Sequence, residues 1–380
     1  MRRVAIAGVG LTPVKEHWEV SIRELFAEAA LKALDEAGTD EIDALYISNM
    51  GSALLQRQLH LGAMMADALG ARGIDAVRVE AASASGGVAF HEGVKAVASG
   101  LHDCVLVGGV EKMSDALPGE IVASLAMAED QEYTAYTGVT KVGLCALIHR
   151  MYMERFGVGA EEIAMFAVRG HEHAVGCPHA QYPFKVSIER VLASPMEADP
   201  IHILECSGIG DGAAAVLLRP AGEVEDGVEV ASTAVATGVY YLTERADPLA
   251  FDAVRRAAAR ALEASGVSHD EIDVLEVHDD TTIAGVVSLE DLGFVGKGEG
   301  AGYVAEGNTA RDGELPTNTF GGLKARGNPL GATGLYQIAE VAMQIRGEAG
   351  RCQVDGAETG MAQSMGGLGS TCAVAVLRRG

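Results

Sequence analysis

Two short segments carry residue types that could do chemistry, and they lie far apart in the sequence. In the first, Ser83 stands between an apolar strand and the Gly86-Gly87 pair that opens a predicted helix. A serine at a helix start commonly caps the helix by accepting backbone N–H groups, and the residues alone favour this interpretation. The alternative is a nucleophile, which requires a base within hydrogen-bond reach.

The second segment consists of His278, Asp279 and Asp280, which follow a predicted buried strand over 274–277. The carboxyl ends of strands are where open α/β sheets place their ligands. His278 could donate a hydrogen bond to a developing oxyanion, and a desolvated Asp280 could act as a general base with a raised pKa. The aspartates could instead cap a neighbouring helix, and the residues alone leave these two interpretations equal.

One further cluster resembles a metal site, namely His171, His173, Cys177 and His179. Histidines two positions apart point to different faces of a helix, and Pro178 interrupts the element between them and the remaining candidates. We therefore expect no metal here and interpret the histidines as surface or loop residues.

Composition limits the classes of function that need to be considered. The chain has 380 residues, of which 48% are hydrophobic and 22% charged, and its formal net charge is −24. This composition is typical of a globular protein, and the negative charge disfavours nucleic acid and anionic lipid as partners. No long apolar run predicts a membrane span, and the six cysteines form no C-x-x-C pair, so we expect a cytoplasmic protein with reduced thiols.

The elements that would position these residues occur twice. A predicted helix over 21–37, a glycine and the acidic turn and strand over 40–47 recur as a helix over 251–265, a glycine and the same type of segment over 270–277. A shared order of helix, glycine, acidic turn and strand predicts two similar βαβ-type halves. We therefore expect a layered α/β fold with two mixed sheets and helices between them.

The predicted boundaries divide the chain into three parts. Residues 1–114 together with 206–230 form the first half, and residues 231–380 form the second. Residues 115–205 carry helical patterns, five prolines and little strand signal, so we interpret them as an inserted loop domain that caps a site.

Four segments resemble motifs of one family, the thiolases. One of them, Val107–Met113, resembles the strand and turn that follow the nucleophile segment of that family. Val79–Gly87 resembles the segment that carries the thiolase nucleophile, and Gly327–Gly334 resembles the motif Gly-His-Pro-x-Gly-Ala-Thr-Gly. Val277–Asp280 resembles the start of the His-Asp-Cys-Phe motif of thiolases of the sterol-carrier-protein-2 type and of archaeal acetyl-CoA acetyltransferases. The chain thus resembles the thiolase superfamily over essentially its whole length, nearest to the archaeal branch.

The chain departs from these motifs at the residues that run ordinary thiolase chemistry. Ser83 stands where thiolases have the nucleophilic cysteine, Asn328 where they have histidine, and Asp280 where they have a second cysteine. A thiol has a pKa of about 8.5, whereas an alcohol is far harder to ionise. An asparagine cannot titrate, so Ser83 has no evident activator.

The parts of the family site that bind an oxyanion remain in this chain. By the resemblance, one oxyanion hole involves His278, and the other involves backbone donors at Ser83 and near Gly366 and Gly367. Oxyanion donors are worth about 3–4 kcal/mol each, so loss of the nucleophile need not abolish all catalysis.

The resemblance also implies a fold and a set of partners. It implies the thiolase fold, with α-β-α-β-α layers and an inserted loop domain, in a homodimer or homotetramer that acts on coenzyme A thioesters as substrates and uses no further cofactor. In this branch, a small zinc-ribbon/OB-fold protein and a hydroxymethylglutaryl-CoA synthase often assemble with the thiolase. Lys324 and Arg326 are candidate contacts for the phosphates of coenzyme A, with exposed solubility charges as the alternative.

Three hypotheses for the function follow. The first is an acyltransferase-like enzyme that forms or cleaves a C–C bond in acyl-CoA thioesters of the acetyl-CoA or acetoacetyl-CoA type without a cysteinyl intermediate. The second is a catalytically silent thiolase-like subunit that binds a coenzyme A ligand or serves as a scaffold for a partner enzyme. The third is an ordinary thiolase with a weak seryl nucleophile.

Overall fold

Strands and helices alternate along both halves of the chain in a computed structural model that describes residues 1–225 and 227–380. The strands are β1 (Val4–Leu11), β2 (Ala44–Ser48), β3 (Asp75–Val79), β4 (Val105–Glu111), β5 (Met196–Ala198), β6 (Ile201–His202), β7 (Gly212–Pro220), β8 (Val228–Thr237), β9 (Val274–Glu276), β10 (Thr359–Gly366) and β11 (Thr371–Arg379). The helices are α1 (Ile22–Glu36), α2 (Ser52–Leu55), α3 (Leu61–Ala68), α4 (Ser85–Ser99), α5 (Pro118–Ala126), α6 (Lys141–Phe156), α7 (Ala160–Ala174), α8 (Ile188–Leu192), α9 (Asp252–Ser265), α10 (Thr282–Asp291), α11 (Gly300–Ala305), α12 (Gly322–Ala325) and α13 (Thr333–Arg346).

Nine of these strands form one mixed sheet in the order β3-β2-β4-β7-β1-β8-β11-β10-β9. Strand β2 runs parallel to β3 and β4, and β9 runs parallel to β10, whereas the other neighbours are antiparallel. The expectation of two separate sheets is therefore wrong. Strands β1 and β8 would be the free edges of the two halves, and they pair with each other at Ala5–Glu229 and Ile6–Val228. Pairing satisfies backbone groups that an edge would leave open.

The second half of the sheet repeats the first, as the duplication in the sequence predicts. Outward from the β1–β8 junction, the first half continues as β7, β4 and β2, and the second continues as β11, β10 and β9. Helix α1 precedes β2 as α9 precedes β9, and α4 precedes β4 as α13 precedes β10. The two halves are thus built from the same succession of elements.

Three hydrophobic clusters show how the layers pack. Helix α1 packs on β1, β4 and β7 around Phe26, and α9 packs on β8 and β11 around Ala257. Helices α4 and α13 lie between the two halves, because a third cluster with Phe90 and Tyr336 joins both helices to strands of both halves. The order is α1, first half-sheet, α4 with α13, second half-sheet, α9, which confirms the predicted five layers.

Local sequence explains where the repeated helices begin and end. Ser21 caps α1, because its hydroxyl accepts the Glu24 N–H while the Glu24 carboxylate accepts the Ser21 N–H. Gly266 follows α9 with a φ of 70°, a left-handed conformation that glycine adopts without steric penalty. Caps of this kind stabilise a helix by about 1 kcal/mol.

The segment predicted to be a loop domain contains α5 to α8 and the short β5–β6 hairpin. Helix α7 packs against α10, α11 and α12, and α6 also contacts α10. The segment therefore lies against the part of the second half that follows β9, where the candidate residues His278 and Asp280 are found. None of the described helices is both long enough and apolar enough to span a lipid bilayer.

Candidate active site

Four of the residues singled out in the sequence, namely Ser83, Asp280, Asn328 and Gly367, line one cleft that is partly open to solvent. Segments from both halves and from the inserted segment contribute to its walls. The lining residues are Met50, Ser83, Met113, Leu125, Ala128, Lys141, Val142, Cys206, Ser207, Gly208, Ile209, Asp280, Thr281, Asn328, Leu330 and Gly367. Apolar side chains thus surround a small polar group made up of a serine pair, a lysine, an aspartate, a threonine and an asparagine.

Ser83 lies in the turn between β3 and α4, directly after Ala82, whose φ of 50° is unusual for a residue with a side chain. The expectation that Ser83 caps α4 is wrong. The hydroxyl of Ser85 ties the turn instead, accepting the Ala81 N–H at 2.8 Å and donating to the Ala82 carbonyl at 2.5 Å. Among the described residues, the hydrogen-bonding contact of the Ser83 hydroxyl is the Met50 sulfur at 3.9 Å.

Asp280 faces a lysine that the sequence did not single out. The Lys141 ammonium, at the start of α6, lies 3.4 Å from Asp280 Oδ2 and donates to the Gly367 carbonyl at 2.5 Å. Burial lowers the pKa of Lys141, but Asp280 and neighbouring anionic groups outweigh this effect, so that the pKa is raised overall. Lys141 is therefore held as a cation beside the Asp280 carboxylate. No local pattern in the sequence distinguishes this lysine from a surface lysine, since its partner comes from another element.

His278 lies behind Asp280, with its Nε2 atom 3.9 Å from Asp280 Oδ2. Burial lowers the pKa of His278 to about 4, although Asp280 opposes the shift. The imidazole is therefore neutral near pH 7, so it can donate only one N–H. The backbone of His278 is held by Gln363, whose side-chain oxygen accepts the backbone N–H of His278 at 2.7 Å.

The sequence left two interpretations of the aspartates open, a helix cap and a residue that exchanges protons, and each interpretation applies to one of them. Asp279 is fully buried and accepts backbone N–H groups of Leu323 and Lys324, so it caps the short helix α12. Burial raises the pKa of Asp279 to about 7, against the effect of these hydrogen bonds. Asp280 instead lines the cleft. Only Asp280 is therefore in a position to exchange a proton with a bound molecule.

Asn328 is oriented by two hydroxyl groups. Its Oδ1 atom accepts a hydrogen bond from Thr333 at 2.8 Å, and its Nδ2 atom donates to Ser207 at 3.2 Å. The N–H side of the amide therefore points to the Ser207 wall of the cleft. Asn328 can orient a carbonyl group or a water molecule from this position, but it cannot accept a proton from Ser83.

The two glycines of the predicted oxyanion hole occupy different places. Gly367 lines the cleft together with Ser83. Gly366 is buried behind the Ser83 turn, where a Cβ atom would come within 2.4 Å of the Ala81 carbonyl oxygen. The turn can approach the end of β10 this closely only because residue 366 is a glycine.

The structure does not support the expectation that Lys324 and Arg326 contact phosphates. Arg326 is fully buried, and its Nε atom lies 3.0 Å from Glu340. Lys324 is only 3% exposed, and its ammonium lies 5.6 Å from the centre of the Tyr182 ring. Neither charge is presented to solvent, which also excludes the alternative of exposed solubility charges.

The interpretation as surface or loop residues is wrong for His171 and His173, which are buried within α7, whereas His179 lies in the turn that follows α7 and is also buried. His171 and His173 contact the carbonyl groups of Phe184 and Asn318, and His179 contacts Glu340. Each ring is thus engaged by a different partner. Among residues 1–225 and 227–380, no cluster of histidine, cysteine, aspartate and glutamate has the arrangement of a metal site.

Comparison with known families accounts for both halves. The family model described as "Thiolase, N-terminal domain" matches residues 4–222, and the one described as "Thiolase C-terminal domain-like" matches residues 234–379. Together the two matches include every element of the nine-stranded sheet apart from part of β8.

Curated relatives cover 93% to 100% of the chain. An acetyl-CoA acetyltransferase of Methanothermobacter thermautotrophicus is 46% identical over 385 residues, covering 100% of both chains. The benzoylsuccinyl-CoA thiolase subunit BbsB of Thauera aromatica is 32% identical, covering 93% of this chain and 92% of its own. Human sterol carrier protein 2 is 30% identical, covering 100% of this chain and 72% of its own length.

Solved structures share the fold. The Ltp2-ChsH2(DUF35) aldolase superposes with a TM-score of 0.86 at 22% identity, covering 99% of this chain and 98% of that one. An acetyl-CoA acetyltransferase from Syntrophomonas wolfei gives a TM-score of 0.78 at 19% identity with full coverage of both chains. The resemblance drawn from the sequence motifs is confirmed, and the chain belongs to the thiolase family.

Proposed function

We propose that this protein forms or cleaves the C2–C3 bond of acyl-CoA thioesters without an acyl-serine intermediate. One observation carries the proposal. Ser83 contacts only the Met50 sulfur as a hydrogen-bonding group among the described residues, whereas the Asp280 carboxylate lies beside Lys141 in the same cleft. An alcohol without a base in reach is a poor nucleophile, while a positioned carboxylate can move a proton.

Cleavage of a 3-hydroxyacyl-CoA requires only the groups present in the cleft. Asp280 accepts the proton of the 3-hydroxyl group as the bond between C2 and C3 breaks, and the C3 fragment leaves as an aldehyde or ketone. The electron pair passes to an enolate whose negative charge lies on the thioester oxygen. The proton on Asp280 then returns to C2 and gives a shortened acyl-CoA. The same steps in reverse form the C–C bond, and no oxidant or added nucleophile is needed.

The enolate oxygen needs hydrogen-bond donors that are already oriented. The candidate donors are side chains and backbone N–H groups. The side chains are the amide of Asn328, the neutral imidazole of His278 and the ammonium of Lys141, and the backbone N–H groups are those of Ser83 and Gly367. Preorganised donors of this kind are worth about 3–4 kcal/mol each. The apolar walls around them suit the hydrocarbon part of an acyl chain and exclude water.

The relatives favour acyl-CoA thioesters as the substrates. Two of them are named for acetyl-CoA acetyltransferase or benzoylsuccinyl-CoA thiolase activity, and a structural neighbour is described as an aldolase. An aldolase on this fold is consistent with C–C cleavage that does not use a cysteine. No further cofactor is needed in the proposed reaction.

A second candidate function is a subunit that binds acyl-CoA but turns over only within an assembly. Two observations favour it: one relative is named as a thiolase subunit, and the aldolase structure is described with a DUF35 partner. We propose a zinc-ribbon/OB-fold protein and a hydroxymethylglutaryl-CoA synthase-like enzyme as the partners, with a homodimer or homotetramer of this chain.

Three incubations of the purified protein distinguish these functions. It is mixed with 3-hydroxybutyryl-CoA, with acetoacetyl-CoA plus CoA, and with acetyl-CoA alone, and the products and the intact protein are followed by mass spectrometry. We expect acetyl-CoA and acetaldehyde from the first mixture and no acyl adduct on Ser83. An adduct on Ser83 with thiolytic cleavage would show a weak seryl thiolase instead. Tight binding without turnover would support the subunit.

Variants test the roles of the residues. Asp280→Asn is expected to reduce cleavage at least about 100-fold, because the proton acceptor is lost. Ser83→Ala is expected to retain activity within about threefold, because no bond to the hydroxyl forms. The exposed Asp270→Asn is the matched control. Loss of activity in Ser83→Ala together with full activity in Asp280→Asn would overturn the proposal.

A further inference from the structure

The turn that carries Asn328 is held in a strained backbone conformation. Leu330, two residues further on, has a φ of 29°, which a branched side chain rarely adopts, and it lines the cleft. Such conformations are worth about 1–3 kcal/mol of strain and persist only when the surroundings determine them. The turn over 327–331 must therefore be fixed by contacts on both of its sides.

On one side the turn is held by a buried cation. Arg326 donates from Nη1 to the Gly327 carbonyl at 2.8 Å, directly before Asn328. Its guanidinium lies 3.0 Å from Glu340 of the central helix α13 and 4.8 Å from the centre of the Tyr336 ring. Arg326, Glu340 and Tyr336 are all fully buried, so this contact is shielded from water.

On the other side the turn is held by the buried carboxyl group of Glu111, whose pKa is raised by burial to about 7. Glu111, at the end of β4, is fully buried, and its carboxylate accepts the Gly331 N–H at 3.1 Å. The same carboxylate accepts N–H groups of Asn49, Met50 and Gly51 at 2.8–2.9 Å. Glu111 thus ties the Asn328 turn to the Met50 segment, and Met50 is the residue that contacts Ser83.

We propose that Glu111 and Arg326 are positioning residues that hold the turn from opposite sides, so that the Asn328 amide presents its N–H to the cleft. Their burial supports this role. Burying charges offers little or no gain in stability over apolar residues of similar size, so a stabilising role alone does not account for them. This inference rests on the proposed function, because it is that function which gives Asn328 a catalytic task. A displacement of about 1 Å in such a group lowers turnover by about 100-fold.

Glu111→Gln tests the carboxyl group, because glutamine keeps the size of the side chain but turns one acceptor into a donor that faces backbone N–H groups. Arg326→Lys tests the cation, because lysine keeps the charge but lacks the planar fork of N–H groups by which the guanidinium reaches Gly327 and Glu340 together. The control is Glu290→Gln, since Glu290 is also buried and accepts N–H groups of a loop, at Gly298 and Gly300.

Kinetics and crystal structures of these variants are the readouts. Glu111→Gln and Arg326→Lys are each expected to lower kcat by about 100-fold with KM changed by less than about threefold, while Glu290→Gln keeps the wild-type kcat. Adding Asn328→Ala to either variant is expected to lower kcat by less than a further twofold, because both act through Asn328. Independent, multiplying losses would overturn the inference.

The crystal structures separate this inference from the proposed function. In both variants we expect the 327–331 turn to relax, with Leu330 at negative φ and the Asn328 contact to Ser207 lost. An unchanged turn would overturn the positioning role whatever the activity. If Asn328→Ala alone were fully active, the catalytic task of Asn328 in the proposed function would fail, and the structures alone would then decide the positioning role.

Discussion

At the scale of the residue, the cleft pairs the carboxylate of Asp280 with the ammonium of Lys141. Asp280 and Lys141 each expose only 13% of their side chains. A partly buried pair of this kind is sensitive to removal of either partner, because the remaining charge loses its compensation. The pair is therefore the most vulnerable point of the site.

Lys141→Met is expected to lower turnover of the substrate by about 100-fold or more, since it removes both the cation beside Asp280 and a donor for the enolate. Lys141→Arg should retain more activity than Lys141→Met because it preserves the charge. Steady-state kinetics of both variants, with circular dichroism to verify folding, check this expectation. Equal activity of Lys141→Met and the wild type would contradict a catalytic role for the ammonium.

Ser83 and Asn328 line the same cleft, so the double variant Ser83→Cys with Asn328→His is expected to strengthen thiolase chemistry there. A thiol of pKa about 8.5 beside an imidazole can form a thiolate, which Ser83 cannot do. We expect thiolysis of acetoacetyl-CoA by this variant to exceed that of the wild type by about 100-fold. The single variants serve as controls, and the absence of any gain in the double variant would show that the two side chains do not meet as the cleft suggests.

At the scale of the element, helix α6 combines a site residue with a buried histidine. Its first residue is Lys141, and Thr140 caps it by accepting the Gly143 N–H at 3.0 Å. Two turns later, His149 is fully buried, and neither ring nitrogen has a hydrogen-bond partner among the described residues. Burial lowers the pKa of His149 to about 4.

The lowered pKa of His149 predicts an acid-dependent loss of stability that His149→Leu should remove. The folded-state pKa lies below the unfolded value of about 6.5, so the contribution is fully present above pH 6.5 and declines toward pH 4. Between pH 6.5 and 5, the free energy of unfolding of His149→Leu should rise relative to the wild type by about 1.5 kcal/mol. Urea unfolding at both pH values measures the difference, with the exposed His60→Leu as control. A difference that does not vary with pH would contradict a neutral buried ring.

At the scale of the whole molecule, the two halves share one core. Helices α4 and α13 come from different halves, yet they lie in the same hydrophobic cluster with strands of both, and β1 pairs with β8 across the junction. Neither half can bury its central face without the other. The cleft depends on the same arrangement, because Ser83 lies just before α4, Asn328 lies before α13, and both line the cleft.

The shared core predicts that a fragment of residues 1–225 does not fold by itself. Without α13, apolar side chains such as Phe90 and Val107 would lose their partners in the central cluster. Thermal melts of the fragment followed by circular dichroism should show no cooperative transition, while the full chain shows one. A cooperative melt of the fragment would demonstrate an independent first half.

Much of this architecture can be predicted from the sequence, for physical reasons. Apolar periodicity and terminal glycines define α1 and α9, and the repeated order of elements predicts two halves. The expectation of two sheets was wrong because edge pairing between β1 and β8 involves few residues and leaves no pattern in either strand. Burial of Lys324 and Arg326 was also missed, since charged side chains are usually exposed and only tertiary contacts reveal a buried ion pair.

The sequence by itself determined which residues were candidates, because Ser83, Asp280 and Asn328 stand at strand and helix ends whose local patterns are legible. Only the tertiary structure decided what each of them does. It shows that Ser83 does not cap α4, that Asp279 rather than Asp280 caps α12, and that Lys141 lies beside Asp280. The physical reason is that a polar side chain takes its role from its hydrogen-bond partners, and these partners come from elements that are distant in the sequence.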